Sequence, residues 1–146
     1  MIALDTNLIV YAHRQDSPFH ASALDTLDQL GNGAAPWAIP WPCLHEFLSI
    51  VTHPRIYSPP TPINMALAFL ENWLASPSLI LLAEGETHFS KLASLARNAK
   101  LAGPRIHDAR IAALCLAHGV DLLYTADRDF SRFPELKTHN PLLGKG

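Results

Sequence analysis

Apolar positions follow two rhythms along this chain: short unbroken runs, and longer stretches where they return every third or fourth residue. The first rhythm predicts buried strands and the second amphipathic helices. Ile2-Ala3-Leu4 is a short run ending in Asp5-Thr6-Asn7, polar residues suited to open a helix through Leu8-Ile9-Val10-Tyr11-Ala12. Spacing at Ala21, Leu24, Leu27 and Leu30 predicts a helix over 17–30, stopped by Gly31-Asn32-Gly33. A strand is expected over 37–40. Pro42 then fits the first turn of a helix through Leu44, Phe47, Leu48 and Val51. Four prolines between 54 and 62 make a stiff surface loop. Beyond it the pattern predicts a helix over 63–75 and a fully buried strand over 79–82. Helices over 87–100 and 106–118 follow, parted by Gly103-Pro104, then a strand over 121–125 and a last short one near 136–138.

Strands alternating with helices imply right-handed crossovers and a parallel sheet covered on both faces. The expected fold is α/β, a three-layer α/β/α sandwich with a central, mainly parallel sheet. A length of 146 residues suits one domain over 1–146, with no repeat, linker or low-complexity tract. Composition narrows the class further. Hydrophobic residues make up 49%, enough for a sizeable core, and 16% charged residues argue against disorder. No apolar stretch approaches the roughly 20 residues that cross a bilayer, and the first residues lack a basic leader. A cytoplasmic protein with no membrane partner is therefore expected. Cys43 and Cys115, in apolar helical contexts, read as small buried hydrophobes.

A net charge of −2 does not announce a nucleic-acid binder. The average hides an asymmetry, because no acid falls between Glu86 and Asp108 while Lys91, Arg97, Lys100 and Arg105 do, with Arg110 just after. The acids themselves are placed more suggestively. Ligands of an open parallel sheet bind beyond the carboxyl ends of its strands. Asp5 ends the first strand, Asp127 and Asp129 follow the strand at 121–125, Glu46 lies in the helix after the second strand, and Asp108 opens a helix. Any one of these acids has a plain reading as a cap or a solvated charge. Asp5 and Glu46 sit among core-type residues, however, where acids are rarely placed without a partner. Two carboxylates about 4 Å apart repel by roughly 4 kcal/mol at an effective dielectric near 20. If the acids converge, a cation must neutralise them or one must stay protonated, and all-oxygen ligands select Mg²⁺ or Mn²⁺.

Taken together, Asp5-Thr6-Asn7 after an N-terminal strand, Glu46, Asp108 opening the helix Ile111-Ala112-Ala113, and Thr125-Ala126-Asp127-Arg128-Asp129-Phe130 resemble the PIN domain, in particular the VapC-type toxins of bacterial toxin–antitoxin pairs. Nearly the whole chain carries the resemblance. It implies a metal-dependent endoribonuclease with Asp5, Glu46, Asp108 and Asp127 as an acidic quartet, Asp5 and Asp108 being the principal metal ligands. Thr6 and Thr125 would orient carboxylates or water, Asn7 would brace the backbone, and Asp129 contends with Asp127 for the fourth place. The resemblance further implies an RNA substrate, a cognate antitoxin whose tail plugs the acidic pocket, and a homodimer.

Such an enzyme would hydrolyse a phosphodiester and leave a 5′ phosphate. Arg14, Arg55, Arg97, Lys100, Arg105 and Arg110 are the candidate phosphate contacts. Tyr57 and Trp41 are candidates for base stacking, with core packing the expected fate of Trp41. His107 reads as an ordinary surface histidine or a phosphate contact. Two rival chemistries fail on single residues. An aspartyl-phosphate phosphatase needs an acid where Asn7 stands, and a zinc site begun by His45-Glu46 needs a histidine where Ser49 stands. The alternative of another class is a non-catalytic protein-binding or regulatory module on the same fold.

Overall fold

A computed structural model describes residues 1–143. Residues 144–146, included in the domain expected over 1–146, lie outside the described residues. Five strands, β1 (Ile2–Leu4), β2 (Trp37–Pro40), β3 (Leu79–Leu82), β4 (Leu122–Tyr124) and β5 (Thr138–His139), form one sheet in the order β3-β2-β1-β4-β5. Every neighbouring pair is parallel. Six helices flank it: α1 (Thr6–His13), α2 (His20–Asn32), α3 (Trp41–Val51), α4 (Ile63–Leu74), α5 (His88–Asn98) and α6 (Ile106–Ala117). Short 3-10 turns precede α6 at Gly103–Arg105 and follow β4 at Arg128–Arg132.

The chain steps from β1 to β2 to β3 in one direction along the sheet, then returns past β1 to place β4 on its other side. Right-handed crossovers therefore put α1 to α4 on one face and α5 with α6 on the other. The packing agrees, since α1 contacts α2 and α3, α3 contacts α4, and α5 contacts α6. The three-layer parallel fold is the one expected. Among the described residues, no helix is long and apolar enough to cross a membrane. Both cysteines are buried and unpaired.

Three local expectations are corrected. Strand β3 is not fully buried: only Leu82 is enclosed and Ile80 is 43% exposed. It is an edge strand, so its continuous apolar run covers one neighbour rather than two. The last strand begins at Thr138, because Leu136 leaves the sheet to enter the core. Helix α2 starts three residues late, after a turn in which Ser17 Oγ accepts from the Phe19 N–H, and it runs on through Gly31 and Asn32.

Gly31 is therefore no terminator. A Cβ there would lie 2.9 Å from the ring of Trp73, which is itself wedged edge-on against the buried Trp37. The glycine lets α2 approach α4. Gly31→Ala should lower the unfolding free energy in urea by about 1 to 2 kcal/mol, since overpacking outweighs the helix propensity gained. An unchanged or raised midpoint would show that the two tryptophans can shift without cost.

Candidate active site

Strands β1 and β4 are neighbours whose following segments leave toward opposite sides of the sheet. That reversal opens a crevice beyond their carboxyl ends. Asp5 is the first residue after β1 and Thr125 the first after β4, and the Asp5 N–H donates to the Tyr124 carbonyl at 3.0 Å. The two ends meet side chain to side chain as well, Thr125 Oγ1 donating to Asp5 Oδ2 at 2.7 Å.

Asp5 is the N-cap of α1, and its Oδ1 accepts the Thr6 N–H at 2.8 Å. The Cys43 thiol donates to the same oxygen at 3.7 Å, and Asn7 Nδ2 approaches Oδ2 at 3.5 Å. A carboxylate with so many donors would ordinarily titrate low. Burial overrides them: Asp5 is 5% exposed, and desolvation, with the charges of Glu46 and Asp127 adding to it, pushes its pKa up to about 6. The same burial, followed by the charge of Asp5, raises the Cys43 thiol well above its ordinary value, so it stays a protonated donor.

Four chain segments bring acids to this point. A cleft of about 250 Å³ is lined by Asp5, Glu46, Asp108 and Asp127, with Thr6 and Asn7 on its wall. Glu46 projects from α3, where Thr6 Oγ1 donates to it at 3.3 Å. Asp108 lies in the first turn of α6, and its pKa also rises to about 6, through desolvation and then the charges of Asp127, Asp5 and Asp129. Asp127 caps the 3-10 turn after β4, accepting the Asp129 N–H at 2.8 Å, while its own N–H donates to Thr125 Oγ1 at 3.0 Å. Asn7 Oδ1 accepts the Ala126 N–H at 3.2 Å, tying that loop to α1.

Asp108, Asp127 and Asp129 each offer a carboxylate oxygen, all within 4.8 Å of one another. Asp129 differs from Asp127 in its surroundings. It opens onto an adjoining hollow with Arg105, whose guanidinium pairs with it at 3.2 Å. A cluster whose donors are all carboxylate and hydroxyl oxygens, with its one thiol held protonated and its central acid driven upward, fits a hard divalent cation.

The candidate basic residues are dispersed. Arg105 and Arg110 border the acids, but Arg110 is bound to Glu84 at 2.7 Å. Arg14 is half-buried and occupied: it pairs with Asp16 at 2.7 Å, donates to the Pro59 carbonyl at 3.0 Å and lies 4.2 Å over the Tyr57 ring. It thereby holds the 54–62 loop so that Tyr57 lines the cleft. Arg55, Arg97 and Lys100 are exposed and line neither the cleft nor its adjoining hollows.

Trp41 corrects an expectation, since it is 38% exposed rather than packed in the core. Helix α3 buries Cys43, Leu44, Phe47 and Val51, which leaves Trp41, His45 and Ser49 on the opposite stripe. Sequence reasoning missed the thiol contact of Cys43 and the cleft-lining Tyr11 and Ile111. Only Cys43 carried a signal, standing nearly one helical turn before Glu46.

The model of the PIN domain family matches residues 2–136. Ribonuclease VapC43 of Mycobacterium tuberculosis is 35% identical over 145 residues, covering 99% of this chain and 98% of its own. Ribonuclease VapC31 of the same organism is 33% identical, with 98% and 100% covered. Among solved structures, VapBC2 from Rickettsia felis bound to a promoter DNA fragment superposes with a TM-score of 0.69 at 23% identity, covering 96% of this chain and 98% of that one. The sarcin-ricin-loop-cleaving toxin VapC20 of M. tuberculosis gives 0.65 at 17% identity, over 90% and 93%. At those identities the two structures speak for the fold.

Proposed function

The chain belongs to the PIN domain family, and from that premise we propose that it is a divalent-metal-dependent endoribonuclease, the toxin of a toxin–antitoxin pair. The observation that carries the reading is the meeting of Asp5, Glu46, Asp108 and Asp127 in one cleft at the reversal point of the sheet. Full-length relatives that bear the name ribonuclease support it.

Asp5 and Asp108 would hold Mg²⁺ or Mn²⁺, with Glu46 and Asp127 completing the set. When bound, the ion neutralises charge on the phosphoryl group and lowers the pKa of water. The protein's own part is to fix the acids. Thr125 orients Asp5 through its hydroxyl and, through the Asp127 N–H, the next acid as well. Thr6 links Asp5 to Glu46 through its backbone and side chain. Asn7 keeps the loop after β4 against α1. Of the candidate phosphate contacts, Arg105 and Arg110 stand nearest the acids and would reach phosphate only by leaving Asp129 and Glu84, with Arg14, Arg55, Arg97 and Lys100 farther along the RNA.

Asp127 rather than Asp129 is the fourth acid, because Arg105 already neutralises Asp129. With single-stranded RNA and Mn²⁺, Asp127→Asn should lower kcat about 100-fold and Asp129→Asn less than about 10-fold. The reverse ranking would reassign the site. Failure of the wild-type protein to cleave any RNA with Mn²⁺ would refute the nuclease itself, and cleavage that a chelator leaves unaffected would refute its dependence on a divalent ion. A cognate antitoxin and a homodimer complete the reading, supported by the exposed apolar residues of α4 (Ile63, Met65, Leu67 and Leu74) and by a structural neighbour from Klebsiella pneumoniae that is a toxin–antitoxin complex.

A further inference from the structure

Beside the acid cleft lies a trough of about 440 Å³, a size suited to a small organic ligand. Its walls are the early turns of α3 and α6, and the two helices contribute in the same way. Each carries an imidazole next to an acid, His45-Glu46 on α3 and His107-Asp108 on α6. The acids are shared with the cleft, so trough and cleft have a common wall. The imidazoles are exposed, and neither has a hydrogen-bond partner among the described residues. Arg110, the one guanidinium in the trough, is spent on Glu84. The free N–H donors at this place are therefore the two histidines.

Trp41 does not line the trough itself but lies beside it, its ring centroid 6.0 Å from that of the trough-lining His45. An indole left 38% exposed at the start of a helix is apolar surface that folding has not used. Flat aromatic faces next to hydrogen-bond donors are what single-stranded nucleic acid requires, because every base can stack and every phosphate can accept.

We propose that this trough is a nucleotide subsite, in which Trp41 stacks the base of the residue adjoining the scissile bond while His45 and His107 donate to its phosphate. The inference deepens the nuclease reading and rests on it for the position of the scissile bond. It separates the tasks of the two compartments: the cleft engages the bond that breaks, and the trough holds the neighbouring nucleotide in line with it. Because each imidazole immediately precedes its acid in sequence, neither helix can shift one group without shifting the other.

Two measurements test it. In steady-state cleavage of a single-stranded oligoribonucleotide with Mn²⁺, Trp41→Ala should raise KM by about 5- to 50-fold, with the loss falling on KM rather than kcat. Trp41→Phe, which retains a ring, should bring KM back to within about 3-fold of wild type. In the Asp5→Asn protein without added metal, the same oligonucleotide should quench tryptophan emission, and Trp41→Phe should remove the change, since Trp37 and Trp73 are buried. His45→Ala combined with His107→Ala should weaken binding in that titration. If the wild type cleaves, yet Trp41→Ala has an unchanged KM and no quenching occurs, the subsite is refuted and the nuclease stands. Quenching that depends on Trp41 without any cleavage supports the subsite as an RNA contact and refutes the nuclease. Neither signal overturns both.

Discussion

Asp5→Asn is expected to reduce Mn²⁺-dependent RNA cleavage by a factor of 100 or more in kcat, while leaving the metal-free protein at least as stable as the wild type. The two halves of this result have one cause. The carboxylate is buried and titrates near pH 6, so its charge is held at a cost in the absence of a cation. Asparagine has almost the same shape. Its carbonyl oxygen can accept the Thr6 N–H, and its amide can donate to Thr125 Oγ1, a hydroxyl that accepts as well as donates. The bonds with Thr6, Cys43 and Thr125 survive, the last reversed, and only the long 3.5 Å approach of Asn7 Nδ2 is lost. The charge disappears, and with it the anchor for the ion. Urea unfolding in chelator beside a cleavage assay measures both. Retained cleavage would remove Asp5 from the site, and a severe loss of stability would make its role structural.

The second large effect is on stability against pH. Asp5 has a folded pKa of about 6 against an ordinary 3.8, so between these values the folded state holds its proton more tightly than the unfolded chain. Stability of the metal-free protein therefore falls as pH rises from about 4 to about 6 and levels off above. At about 1.4 kcal/mol for each pH unit, Asp5 accounts for roughly 3 kcal/mol at most. Asp108, half-exposed, acts in the same direction and more weakly. Asp16 works oppositely, held low by its hydrogen bond to Arg14, but it is exposed and screened by solvent. A divalent cation binds the ionised acids and stabilises the folded state by mass action, increasingly as they lose their protons. The difference in Tm between Mn²⁺ and chelator should thus be small at pH 5 and widen toward pH 7.5. Melting curves that superpose at every pH would mean that the acids hold no ion.

Much of this could be read from the residues alone, for a physical reason. A strand end followed by an acid is a local pattern, and a parallel sheet sends all such ends to one edge, so Asp5 and Asp127 could be grouped without knowing a distance. Asp108 joins them because the crossover helix that leads into β4 begins at that same edge. What escaped depends on packing between distant segments. Gly31 looks like a helix stop until Trp73, 42 residues later, is found against it. Arg14 looks like a free cation until the loop at 54–62 folds onto it and Asp16 takes its charge. Trp41 looks like core because tryptophan usually is, and only the phase of α3 turns it outward. The apolar run of β3 cannot announce that it lies at an edge, since that follows from where the other strands go.

The place of β4 beside β1 has a consequence for how the protein comes into being. Asp5 is made 120 residues before its partner Thr125, and strand order forbids any segment between them from standing in for Thr125 and Asp127. A chain still emerging from the ribosome can build β1, β2 and β3 with their helices and remain without a working centre. Competence arrives abruptly, when β4 and the loop after it dock beside β1, so a nascent chain that still lacks them cannot act on any transcript, including its own.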